Sequence, residues 1–285
     1  MLTPGQVESY HRDGYIAAAD VYPAEFMEEL RRVTDTFVEQ SRAAARHTEA
    51  FDLEPGHSAR MPRLRRLKDP VKRHEAYLRA LRWDPMLDVV AQLIGPGIRY
   101  QSTKLNLKTG GIGSAVEWHQ DIAFYPHTNE DVLAVGVCID DMMVENGALM
   151  VIPGSHKGPL LDHHENGYFV GAITDPHFSE EGAVPLIVKA GGITIHHARM
   201  IHGSAPNRSN RQRRLLLFEF RAVDAWPMMG VKSWEEFNGQ ILRGEPCWAP
   251  RVEVVPVRIP LPPTPTTGSI YESQTYYSKK TLTNR

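Results

Sequence analysis

Cysteine is nearly absent from this 285-residue chain, with Cys138 and Cys247 the two present. Two cannot build a disulfide framework, so stability has to come from a packed core, and a reducing cytoplasm is the expected location. Cys138, inside Val135-Gly136-Val137-Cys138-Ile139, reads as a small buried hydrophobe. Long apolar runs are absent too, and none approaches the ~18 residues that a membrane-spanning helix needs. Met1-Leu2-Thr3-Pro4-Gly5-Gln6 has no basic stretch followed by an apolar one, so no signal peptide is expected. Charge of one sign is lacking: 32 Lys and Arg against 34 Asp and Glu give −2, which supplies no general pull toward nucleic acid or membrane. With no repeat and no long polar linker, residues 1–285 read as one domain. The expected partner is a small-molecule substrate, and the expected state a monomer or homodimer.

What is there begins with His119-Gln120-Asp121, answered 81 residues after Asp121 by His202. Two imidazoles and one carboxylate suit a divalent transition metal with open positions, iron(II) used for oxygen chemistry above all. Residues i and i+2 of a strand project to one face, so His119 and Asp121 are expected to grip one ion from one strand, with a distant strand supplying His202. After His202 come a Pro/Asn/Ser turn and a strong strand that carries Arg213, eleven residues beyond His202. A guanidinium there can hold a carboxylate through two parallel hydrogen bonds. A five-carbon keto-diacid could chelate the metal at one end and reach such an arginine with the other. The pair His-x-Asp alone is a weak signal, and the surroundings strengthen it.

These motifs stand in the order Trp118-His119-Gln120-Asp121, Glu145-Asn146-Gly147-Ala148-Leu149-Met150-Val151-Ile152-Pro153-Gly154-Ser155-His156-Lys157, His202-Gly203-Ser204 and Arg213. In that order the chain resembles the phytanoyl-CoA dioxygenase family of iron(II)/2-oxoglutarate oxygenases, over roughly residues 100 to 220. The resemblance implies a mainly β fold with flanking helices, a double-stranded β-helix (jelly roll, cupin-like). It implies iron(II) at His119, Asp121 and His202, with 2-oxoglutarate and O2 as co-reactants. It also implies that Arg213, assisted by Ser204, binds the 2-oxoglutarate carboxylate. The function so implied is hydroxylation or other oxidation of an aliphatic C–H, coupled to decarboxylation of 2-oxoglutarate to succinate and CO2. Family members that halogenate carry a small residue in place of the carboxylate ligand, and Asp121 disfavours that outcome. The rival readings are a cupin-like metal enzyme with non-redox chemistry, distinguished by independence from 2-oxoglutarate, and a non-catalytic ligand-binding jelly roll.

Periodicity divides the chain into an N-terminal helical support (1–97), a strand-rich core (98–222) and a C-terminal extension (223–285). Thr3-Pro4-Gly5-Gln6 predicts a capped helix ending before Asp13-Gly14, then a short strand over 14–19. Helices are predicted from Pro23 to Ala45, from Lys72 to Leu81 and from Pro85 to Ile94, with a loop over 46–61. Residues 133–140 and 148–152 read as a strand pair joined across Asn146-Gly147, a strong tight-turn signal. Residues 157–183 are glycine- and histidine-rich with little apolar periodicity, which predicts a mobile lid of low local stability. Part of 226–247 reads as helix and 261–268 as an extended Pro-rich tail.

Several assignments stay open. From Arg99 to Lys108, Ser102, Lys104, Asn106 and Lys108 share one face. Lys104 and Asn106 contact the cosubstrate if that face lines the barrel, and meet solvent otherwise. Arg213 shares a face with Leu215 and Leu217, Arg214 with Leu216 and Phe218, and alternation alone does not choose between them, leaving Arg214 and Arg211 as fallbacks. Trp118, Phe124 and Tyr125 form either an apolar wall for the substrate or part of the core. The basic stretch Arg60 to Lys68 is a solvated face or meets an anion. His156 is expected to fasten a turn. His163, His164, His177, His196 and His197 are solvated, hydrogen-bonded in the fold, or a second metal site.

Overall fold

The computed structural model describes residues 1–265 and 269–284. The N-terminal part is helical for local reasons. Helix α1 (Pro4–Asp13) starts at Thr3, whose side chain accepts from the Gln6 amide while the Gln6 side chain caps the Thr3 amide, and ends at Gly14 with φ 83. Strand β1 (Tyr15–Ala18) follows. Helix α2 (Ala24–Gln40) buries Phe26, Leu30, Val33 and Phe37, and stops five residues short of the predicted Ala45. The predicted loop over 46–61 contains β2 (Phe51–Leu53), which pairs with β3 (Leu64–Lys68). The basic stretch is therefore no simple solvated face: half of it is a sheet strand. Helices α3 (Glu75–Leu81) and α4 (Asp84–Ile94) complete the support.

The core strands are β4 (Ile98–Lys108), β5 (Val116–His119), β6 (Val132–Cys138) and β7 (Leu149–Val151). A small hairpin, β8 (His164–Glu165) and β9 (Tyr168–Phe169), precedes β10 (Val184–Pro185), β11 (Ile193–His197), β12 (His202–Ser204) and β13 (Arg213–Ala222). The C-terminal extension holds α5 (Trp234–Gly239), β14 (Ile241–Arg243) and α6 (Ile270–Ser273). Thr266 to Gly268, in the Pro-rich tail, lie outside the described residues. No described helix is long and apolar enough to cross a membrane.

Two antiparallel sheets organise the fold. The larger runs β1-β11-β6-β13-β4-β3-β2, with β14 also on β4, and the smaller runs β10-β7-β12-β5. One face of the large sheet packs Leu105, Leu107, Val135, Ile195, Leu216 and Phe218 against the helices. The opposite face turns Leu215 and Leu217 toward Leu149, Val151 and Met200 of the small-sheet side. Lys104 and Asn106, which pair with Leu217 and Leu215 in register, project into the same interior. The polar face of β4 thus lines the space between the sheets.

Strands β6 and β7 are not a hairpin, contrary to the Asn-Gly signal; they belong to different sheets. Asn146 closes a short turn by donating to the Asp141 carbonyl and accepting from the Met143 amide. Gly147 ends that turn with φ 80, and a Cβ there would lie 2.6 Å from the Ala205 carbonyl oxygen. Positive φ and a close approach both demand glycine, but for a crossing between sheets.

The expected lid is also anchored at its centre. Val170, Ala172 and Ile173 are buried, and His163 is 1% exposed. Residues 175–183 stay mostly exposed. Residues 269–284 return across the small sheet. There the buried Glu117 carboxylate accepts from the backbone amides of Thr281, Leu282 and Thr283. The Gln274 side chain accepts from the Glu117 amide at 3.0 Å.

Candidate active site

Strand β5 ends at His119; Gln120 continues extended (φ −120, ψ 126) and Asp121 opens a 3-10 turn. The pair is therefore not on one strand, yet extended Gln120 still sends both side chains the same way. His202 opens β12, directly opposite His119. One ligand atom from each of His119, Asp121 and His202 lies within 4.8 Å of the others. The His119 Nδ1–H donates to the Glu117 carbonyl at 2.8 Å and that of His202 to the Met200 carbonyl at 2.9 Å. Both Nε2 lone pairs are left facing Asp121 Oδ1, at 3.6 and 3.8 Å. Carbonyl-fixed imidazoles and a carboxylate fit a metal such as iron(II). Burial, with His119 alongside, pushes the His202 imidazole well below its usual pKa, so it stays neutral as a ligand must.

His196, whose role the sequence left open, is hydrogen-bonded in the fold beside the metal ligands. Its Nε2–H lies 3.3 Å from Asp121 Oδ2, and its ring centroid is 4.2 Å from that of His202. The other metal-candidate histidines lie elsewhere. His163 accepts from the Gln120 amide and His164 lies 3.0 Å from Asp162; His156, expected to fasten a turn, holds the His11 carbonyl. Among the described residues, one cluster has metal-ligand geometry.

Beyond the ligands the interior becomes cationic. Arg213 is buried and donates to the Gly147 carbonyl at 2.9 Å, while its Nε has no partner. Among the described residues no carboxylate pairs with it. Lys108, fully buried, donates to Ser204 Oγ at 2.7 Å and to the Ala205 carbonyl. Ser204 Oγ accepts there, so its own proton is free to be given. Desolvation, with Arg213 alongside, pushes the Lys108 ammonium well below its usual pKa. A buried guanidinium with no paired carboxylate among the described residues is costly, and a ligand carboxylate is the group that fits. Asn106 lines the same cavity with its Oδ1 unpartnered. Arg214, the fallback, points the other way and pairs with Asp140 and Asp35, each at 2.8 Å; Arg211 is half exposed beside Asp141.

A second chamber of about 460 Å³ shares Lys104, Asp121 and Ile270 with this cavity. Phe124 and Tyr125 line it, with Phe124 edge-on to Phe169 at 4.9 Å. Burial and the nearby Asp121 and Glu219 carboxylates push the Tyr125 hydroxyl pKa well up. Lys104 is engaged by Glu219 at 2.7 Å, so it meets a protein carboxylate rather than standing free. Trp118 does not face the chamber. It points to the far side of β5, packs on Phe178 and Leu282, and donates to Glu180 at 2.9 Å. Neighbours on a strand face opposite ways, so adjacency to His119 placed it outside.

A model of the phytanoyl-CoA dioxygenase family matches residues 10–215. The chain belongs to that family. It is 32% identical, over 96% of its length and 98% of the relative, to a probable alpha-ketoglutarate-dependent hypophosphite dioxygenase of Stutzerimonas stutzeri. It is 27% identical to the L-proline trans-4-hydroxylase of Streptomyces griseoviridis, over 78% of this chain and 88% of that one. In fold it is similar to EctD from S. alaskensis with bound Fe, with a TM-score of 0.68, 24% identity, and 88% and 87% of the two chains covered.

Proposed function

We propose that this chain is an iron(II)- and 2-oxoglutarate-dependent dioxygenase that hydroxylates an aliphatic C–H of a small molecule. His119, Asp121 and His202 hold the metal. Arg213, with the Ser204 hydroxyl, takes the distal carboxylate of 2-oxoglutarate, Lys108 adds positive field, and Asn106 lines the cosubstrate's path. The overall balance is R–H + O2 + 2-oxoglutarate giving R–OH + succinate + CO2. Bound iron supplies the oxidising chemistry; the protein's share is to bind, orient and exclude water. Phe124 and Tyr125 form the substrate wall next to Asp121, and the desolvated Tyr125 hydroxyl stays protonated. The two facing sheets are read as a jelly roll within one oxygenase domain, 1–285, with its mobile edge now narrowed to 175–183. The two cysteines are free, which suits a reducing cytoplasm.

One observation carries this reading: a buried arginine with no paired carboxylate among the described residues, beside three converging ligand atoms. The test is oxygen-dependent succinate release from 2-oxoglutarate by protein stripped of metal and reloaded with iron(II). Release that needs both iron and 2-oxoglutarate is expected. Metal binding without any 2-oxoglutarate consumption would favour non-redox chemistry instead.

A further inference from the structure

The interior face of β13 carries Arg213 at one end and Arg221 at the other. Arg221 pairs in register with Arg99 of β4. Arg99 is fully buried and Arg221 is 3% exposed. Both guanidinium groups meet the Phe237 ring, at 3.5 and 5.1 Å. Their hydrogen-bond partners are all neutral. Arg221 donates to Gln101 Oε1 and His127 Nε2, each at 2.8 Å, and to Gln240 Oε1 at 3.1 Å. Arg99 donates to Asn238 Oδ1 at 3.2 Å. Among the described residues no carboxylate pairs with either, and Arg99 Nε, Arg99 Nη1 and Arg221 Nε are buried without a partner. His127 cannot supply a counter-charge, because its Nδ1–H is given to the Tyr125 carbonyl and its Nε2 must accept from Arg221.

This cationic pair has a consequence for the second chamber. A guanidinium only donates, so Arg221 fixes the oxygen of Gln101 on its own side. The Gln101 Nε2 amino group is left as the end offered to the chamber that Gln101 lines. Arg66 lines the same chamber, with its Nε unpartnered and no ion pair among the described residues. Glu219, the carboxylate there besides Asp121, is already paired with the Lys104 ammonium at 2.7 Å and accepts from the Ser102 hydroxyl at 2.5 Å. With Asp121 assigned to the metal and Glu219 paired with Lys104, the groups left on the wall, Arg66 and the Gln101 amino end, are donors.

We propose, resting on the dioxygenase reading above, that the second chamber selects a small anionic substrate whose oxyanion group is held by Arg66 and the Gln101 amide, with Arg221 positioning Gln101. A carboxylate and a phosphonate share this chemistry. The test is anaerobic calorimetry on the iron(II)–2-oxoglutarate complex, which needs no turnover, with propionate, methylphosphonate, propionamide and propylammonium as probes. One or both anions should bind, and the neutral and cationic probes should not; the tighter anion identifies the source. Gln101→Glu keeps an acceptor for Arg221 but offers the chamber a negative end. It should weaken the anion at least about tenfold while the melting temperature does not fall and 2-oxoglutarate affinity moves less than about twofold. A purely structural Arg221–Gln101 pair would leave anion binding untouched in that variant, and that result overturns the proposal. So does preference for propionamide or propylammonium, or no binding of either anion. Failure of the wild type to bind 2-oxoglutarate would instead overturn the reading beneath it.

Discussion

Replacing Arg213 by leucine separates binding from folding. Arg213 is 3% exposed, gives one hydrogen bond to the Gly147 carbonyl and pairs with no carboxylate among the described residues. In the protein alone its charge is a burden, increased by Lys108 nearby. Leucine removes that burden and one hydrogen bond worth about 1 kcal/mol, so the two changes nearly offset. The melting temperature of the ligand-free protein should move by less than about 4 °C. With 2-oxoglutarate the position differs, because truncating one partner of a desolvated charge pair costs about 2–5 kcal/mol. At about 1.4 kcal/mol per factor of ten, the 2-oxoglutarate requirement should rise roughly thirty-fold to several thousand-fold. Arg214→Leu should do the reverse. It breaks pairs to Asp140 and Asp35 at 2.8 Å, so stability falls while the 2-oxoglutarate requirement holds. Succinate release against 2-oxoglutarate concentration, with thermal melts of both variants, is the assay. A larger 2-oxoglutarate effect from Arg214→Leu than from Arg213→Leu would refute the reasoning.

Other outcomes follow from the same geometry. His196→Phe removes the donor to Asp121 Oδ2, and iron affinity should drop about 10- to 100-fold, as for other groups that orient a metal ligand; an unchanged iron titration would remove His196 from that role. Ala in place of His119, Asp121 or His202 should abolish iron-dependent turnover with the far-ultraviolet circular dichroism retained, and full activity would strike that residue from the site. Glu117→Ala leaves the amides of Thr281 to Thr283 without their acceptor, so limited proteolysis should cut residues 275–284 faster than in the wild type. Amide exchange should be slow at the buried centre, 169–173, and faster over 175–183; equal rates would end the idea of a mobile edge.

How far the sequence could be read depended on whether a signal was local. The Thr3–Gln6 cap and the glycine stop at Gly14 are short-range chemistry, and both appear in α1. The alternation of β4 separated Lys104 and Asn106 from Leu105 and Leu107, but choosing the inner face needed the helices packed on the other side. Arg213 and Arg214 were separated by the same rule and placed only by β13's neighbours. Asn146-Gly147 misled because left-handed glycine serves a hairpin and a sheet-to-sheet crossing alike. Trp118 was open between substrate wall and core, and it is core because strand neighbours face opposite ways. His196 was within reach: Ile193 and Ile195 are the apolar positions of β11, so Thr194 and His196 must face the opposite side. The cationic pair of Arg99 and Arg221 left no sequence trace, since 122 positions separate residues that only the register brings together.

The Glu117 clasp bears on the order in which the molecule is made. Glu117 sits two residues before a proposed iron ligand, yet its hydrogen-bond partners arrive 164 to 166 residues later. During synthesis, then, the strand carrying His119 emerges early and waits, its carboxylate unanswered, until Thr283 has cleared the ribosome. Contacts so remote in sequence form late. Iron offered before then would meet ligands on a strand not yet held in place by this clasp.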